Sequence, residues 1–104
     1  MTTREILIAA KAKIDTPEKW AQGCEARDAN GDPCGTKTPV AVRRCTIGAV
    51  NAVTSTCADA NAALRAISAV ANTHLRIMAW NDHPDRTHAE IMAAFDRAIE
   101  ACNG

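Results

Sequence analysis

Apolar residues recur at helical spacing along most of the chain, and the polar residues between them punctuate that pattern. Thr2-Thr3-Arg4-Glu5 reads as a capping box, with the Thr2 hydroxyl and the Glu5 carboxylate each serving the other's backbone amide. Ile6, Leu7, Ala10 and Ile14 follow at the spacing of one buried helix face. Asp15-Thr16-Pro17 ends this first helix and supplies a cap and a proline for one short turn over Glu18 to Ala21, which positions Trp20. Gly23 to Asp28 and Asp32 to Thr36 flank Asn30-Gly31, a pair that accepts the positive φ of tight hairpin turns, and predict a small β-hairpin.

Thr38-Pro39 repeats the cap-and-proline signal, and Ala41, Cys45, Gly48 and Ala52 then trace a seam of small residues. The seam predicts a central second helix in which Gly48 permits close packing. Thr56-Cys57-Ala58-Asp59 opens the longest pattern, with Ala60, Ala63, Leu64, Ile67, Val70, Ala71, His74, Ile77 and Met78 on one stripe. Asn72-Thr73 is its expected break or kink, because both side chains compete for backbone hydrogen bonds. Thr87 and Glu90 form a second capping box, and Ile91, Met92, Phe95, Ile99 and Cys102 face inward on a last helix that Asn103-Gly104 ends.

The expected fold is therefore mainly α, an α-rich α+β compact bundle of about four helices with a small hairpin between helices one and two. Composition agrees. The 104 residues suit one domain spanning 1–104, and 47% are hydrophobic, yet there is one Phe, two Trp and no Tyr. A core built so largely from alanine must be thin and closely packed, which favours helices over sheets.

Charge narrows the function classes. Twelve basic residues balance twelve acidic ones, so no net field draws the chain to nucleic acid or to an anionic membrane. No apolar run approaches the roughly 20 residues that span a bilayer, and the charged N-terminal stretch lacks a secretory core, so the expected location is cytoplasmic. The five cysteines include no C-x-x-C and no zinc-finger spacing to histidine. Cys45, Cys57 and Cys102 fall on predicted helices as buried free thiols, whereas Cys24 and Cys34 flank the predicted turn, where a bridge or a metal pair stays open.

Two segments concentrate the chemistry. In Trp80 to Glu90, a His83-Pro84 step and the Thr87 cap specify a loop entering a helix, and Asn81 and Asp82 can close Asx turns. Arg86 has Asp82 and Asp85 as candidate partners. The competing functional reading has Trp80, Asp82, Arg86 and His88 lining a pocket or a protein-binding surface. In Trp20 to Asp28, Gln22, Arg27 and Asp28 either hold the hairpin to the helices or bind a ligand. Arg43 and Arg44 lie about 100° apart on the predicted helix, so one at most points inward, and Asp28 or Asp82 is the expected partner. The candidate binding residues are thus Trp20, Gln22, Arg27 and Asp28, then Arg43 and Arg44, then Trp80, Asn81, Asp82, Arg86 and His88. His74 reads as a hydrogen-bonded core histidine. No nucleophile elbow, zincin helix, phosphate loop or dinucleotide fingerprint is present.

The stretches Trp20 to Gly31, Ala41 to Ala49 and Trp80 to Glu90, with their Q-G-x-x-A-R-D, R-x-C-x-x-G-A and W-N-D-x-P-x-R-T blocks, resemble an uncharacterised family of small actinobacterial and phage proteins. The resemblance runs over nearly the whole chain in the same order. It implies a domain of unknown function and brings no activity or site residue with it.

The leading expectation is a small non-catalytic interaction protein, phage or mobile-element encoded, that binds and modulates a host protein as a monomer or homodimer. No cofactor and no metal are expected. The alternative is a small-molecule-binding protein or minor enzyme with a pocket around Asp82, Arg86 and Arg27-Asp28. A structural or toxin-partner module is a third.

Overall fold

The computed structural model describes residues 1–72 and 76–102. The expectations for Thr73, for His74 and for the Asn103-Gly104 stop lie outside the described residues. Helix α1 (Thr3–Lys13) starts at the capping box read from the sequence: Thr2 Oγ1 accepts from Glu5 N at 3.1 Å and Glu5 Oε1 from Thr2 N at 2.8 Å. Pro17–Lys19 form the single turn before Trp20, which is half-buried. Helix α5 (His88–Ala101) carries the second complete capping box, between Thr87 and Glu90. These starts are local, needing residues three apart and nothing else.

The middle of the chain is organised by strand pairing. β1 (Ala26–Arg27) and β2 (Arg43–Arg44) are antiparallel, with Ala26 opposite Arg44 and Arg27 opposite Arg43. The Asn30-Gly31 turn forms where expected, with Gly31 at φ 85° and Arg27 bridged to Pro33. A hairpin thus stands between helices one and two, but its second strand lies further along the chain than Asp32 to Thr36.

That pairing corrects the predicted second helix. Residues 41–45 are drawn into extended structure, where Val42 N donates to Arg27 O and Cys45 N to Glu25 O. Helix α2 (Thr46–Val53) consequently begins eight residues after Thr38, and its cap is Cys45, whose Sγ accepts from Gly48 N at 3.3 Å. Gly48 is a close-packing residue, though against backbone rather than a helix: a Cβ there would stand 1.9 Å from Glu25 O.

Helix α3 (Cys57–Ala71) is capped by Thr56 and buries Ala60, Ala63 and Ile67. Asn72 takes the left-handed conformation (φ 49°, ψ 48°) and ends it, so the stripe continues as a separate helix α4 (Ile77–Asp82). The described residues therefore hold five helices. Cys57, expected inside, is exposed because the buried stripe starts one turn later, at Ala60.

Helices α1, α2, α3 and α5 enclose a core centred on Ile6, Leu7, Ile14, Val50, Ile67, Ile91 and Phe95, with Trp80 entering from α4. Alanines 10, 49, 63, 94 and 98 fill the spaces between. Lys11 of α1 and Asp96 of α5 close the outer edge with an ion pair of 2.6 Å.

Candidate functional site

Asn81 is the polar centre of the molecule. It occupies α4 with no exposed surface, and its carboxamide oxygen accepts from Trp20 Nε1 at 2.9 Å, Thr46 N at 3.0 Å and Thr46 Oγ1 at 2.8 Å. Its amide group donates to Ala21 O at 3.0 Å and to Asp82 Oδ1 at 2.9 Å. Three segments far apart in sequence therefore meet on one side chain, whose donor and acceptor capacity is fully used.

The neighbours extend this staple. Gln22 Nε2 donates to the carbonyls of Asn81 and His83, and Asp82 Oδ1 accepts from Gly23 N at 2.9 Å. Arg27 reaches back to the carbonyls of Gln22 and Gly31 at 3.0 and 2.8 Å, so it braces the turn that Gly23 makes at φ 88°. Asp28 accepts from Asn30 N and Asp32 N, as an Asx turn does.

The expected meeting of Arg43 or Arg44 with Asp28 or Asp82 does not occur. Both aspartates are already held by backbone amides, and Arg44 Nε donates to Thr36 O at 3.0 Å. Arg43 is exposed and stands near Glu18. Glu18 is lowered from its ordinary pKa by hydrogen bonds from its own amide and from Thr16, then by the charges of Arg43 and His88.

Arg86 pairs with neither Asp82 nor Asp85. Its guanidinium bonds Glu90 at 3.1 Å, Nε donates to Trp80 O at 2.9 Å, and the group lies 4.9 Å from the centre of the Trp80 ring. Trp80 itself is only 5% exposed and belongs to the core. His88 Nε2 donates to Ile14 O at 2.7 Å and its ring stands 6.2 Å from that of Trp20, so it ties the end of α1 to the start of α5. The notch beside Trp80, Arg86 and Glu90 measures about 160 Å³. That is below the roughly 300 Å³ where small-molecule sites begin.

Nucleophilic chemistry finds no support at the buried cysteine: burial pushes the Cys45 thiol up to about 11, so it stays protonated near neutral pH. Among the described residues no three His, Cys, Asp or Glu side chains group to hold a metal ion, and no helix is long and apolar enough to cross a membrane.

The unspent surface lies elsewhere. Ile8 is 45% exposed, Val40 58% and Val42 46%. Ile8 and Ala12 share a face of α1 at i, i+4 spacing. Ala12 opens into a shallow groove of about 400 Å³ with Ala41 and Val42, edged by Lys13, Lys19 and Arg44. The sequence reading missed this surface. Its one available signal was Ile8, an isoleucine off the buried stripe of its helix; Val42 is an ordinary loop residue until the chain entering β2 sets it beside Ala12 of α1.

Residues 1–101 match the model of a Family of unknown function (DUF6197). No curated protein and no solved structure matches the chain.

Proposed function

The chain belongs to this family of unknown function, and from that premise we propose that it is a small non-catalytic interaction protein that docks a partner protein on the α1 and β2 face. The observation that carries the reading is an apolar strip of Ile8, Ala12, Ala41 and Val42 left open to solvent and edged by Lys13, Lys19 and Arg44. Exposed β-branched residues bordered mainly by basic groups, of which Lys19 is paired with Asp15 at 3.0 Å, suit an acidic, apolar segment: the apolar side chains supply the buried centre, and the basic rim selects the partner and speeds the encounter. The expected setting is the cytoplasm of a host cell, with the protein encoded by a phage or other mobile element and the partner a host protein. A pocket around Asp82, Arg86 and Arg27-Asp28 is less favoured, since those charged groups are engaged with backbone, with Glu90 or with one another's segments.

The test is a library of fluorescent dodecapeptides sorted on the purified protein. Peptides combining Asp or Glu with Leu, Ile or Val are expected to be enriched. Val42→Asp and the pair Lys13→Glu with Lys19→Glu should each weaken them about tenfold, and added salt should weaken them further. Enrichment that ignores acidic residues, or that survives all three substitutions, would sink the proposal.

A further inference from the structure

We infer that Cys24 and Cys34 form a reversible dithiol–disulfide site whose oxidant is a low-molecular-weight disulfide such as glutathione disulfide. Both thiols are free and half-buried. They are anchored on one atom: the Cys24 thiol donates to Ala26 O at 3.3 Å, and the Cys34 backbone amide donates to the same oxygen at 3.0 Å.

The register explains the meeting. Arg27 bridges Pro33, which sets Ala26 beside Cys34 and leaves Cys24 on the diagonal. Diagonal Cα atoms across such a pair stand roughly 7 to 8 Å apart, just beyond the roughly 7 Å that a disulfide spans, so closure takes a small backbone shift, which falls on the bend at Cys24 before β1. The Cys24 side chain curls toward Cys34, because its sulfur bonds the carbonyl two residues ahead. Among the described residues no hydrogen bond restrains the Cys34 sulfur, so its χ1 can turn with that shift.

The other cysteines lack this arrangement. Cys45 is fully buried, its thiol pushed up by that burial, and Cys57 is exposed on α3. Half-burial at the hairpin admits a small disulfide while hindering a second protein chain. In the step itself, one thiolate attacks RS–SR, forming a mixed disulfide and releasing RS⁻. The second thiolate attacks the protein sulfur of that mixed disulfide and expels the other RS⁻. The two cysteine protons end on the two released thiols, so the protein loses two hydrogens and RS–SR gains them. Reversal needs only the same small thiol in excess, as expected of a cytosolic pair that is transient rather than structural.

The site stands whether or not the docking reading does. Its test uses the whole chain equilibrated in glutathione buffers of graded ratio, alkylated and digested with trypsin without reduction. Cleavage after Arg27 and Lys37 puts the two cysteines on separate peptides, Trp20–Arg27 and Asp28–Lys37. The expected product is those two peptides joined, two hydrogens lighter than their sum, and lost again on reduction. With it the melting temperature should rise by about 5 °C, and Cys34→Ser should abolish that rise while leaving a glutathione adduct on Cys24. Glutathione adducts on the separate peptides of the wild-type chain, or links from either cysteine to Cys45, Cys57 or Cys102, would overturn the inference.

Discussion

The segment from Trp80 to Arg86 and the face formed by α1 with β2 are opposites in sequence and in structure. The first is dense in polar and aromatic residues, and almost every polar group in it is spent inside the molecule: Asn81 on three segments, Asp82 on Gly23, Arg86 on Trp80 and Glu90. The second is sparse and plain to read, yet it leaves Ile8 and Val42 in solvent. In a chain where eight of the eighteen buried hydrophobic residues are alanine, apolar contact area per residue is small, so fixed polar cross-links carry more of the specificity of the fold. A concentration of polar residues here marks where distant segments are pinned, and the free surface has to be found by exposure.

Replacing the hub should show the contrast most strongly. Asn81→Ala strands the Trp20 indole N–H, the Thr46 amide and hydroxyl and the Ala21 carbonyl without their partner. At roughly 1 to 3 kcal/mol for each buried group left unpaired, a loss of about 4 kcal/mol or more is expected, a large part of the stability of a small domain. Thermal or urea unfolding followed by circular dichroism measures it, and a loss under about 1 kcal/mol would mean that the staple is ornamental.

A smaller effect separates the staple from the helix starts. Glu5 and Glu90 are lowered from the ordinary value of 4.5, chiefly by the backbone amides of Thr2 and Thr87, and Glu18 mainly by its own amide. A carboxylate with a depressed folded pKa contributes stability that is whole above 4.5 and is lost as pH falls through its folded value. Melting temperature should therefore fall on acidification below 4.5, and Glu5→Gln with Glu90→Gln should flatten that part of the profile. An unchanged slope in the double variant would assign the acid sensitivity elsewhere.

The smallest expected effect is on the other side of the comparison. Ile8→Ser and Val42→Ser should shift stability by no more than about 0.5 kcal/mol, because neither side chain is well buried. Val42→Ser losing peptide binding while its melting curve stays in place would sharpen the division; a loss of several kcal/mol would erase it.

Legibility followed the distance over which each signal acts. Thr2 with Glu5, Thr56 with Asp59, Thr87 with Glu90 and the turn at Asn30-Gly31 were readable because the partners sit within four residues. Asn72 was readable as a break, and it ends α3 in the left-handed conformation. The start of α2 was misread because Thr38-Pro39 is a sound local helix signal that strand pairing overrides, Val42 and Cys45 having given their amides to Arg27 and Glu25. Trp20 and Gln22 were read in one segment and Asn81 and Asp82 in another, and which atom each would meet was invisible, as the pairs lie some sixty positions apart.

By itself, then, the sequence determined the helical class, the capped helix starts, the turn and the buried stripes, since each depends on periodicity or on contacts within a turn of chain. Only the tertiary structure decided that Asn81 joins three segments, that Gly48 admits the Glu25 carbonyl and that Val42 stays outside. Those outcomes depend on which backbone groups remain unpaired once every element has packed, and no window of neighbouring residues contains that information.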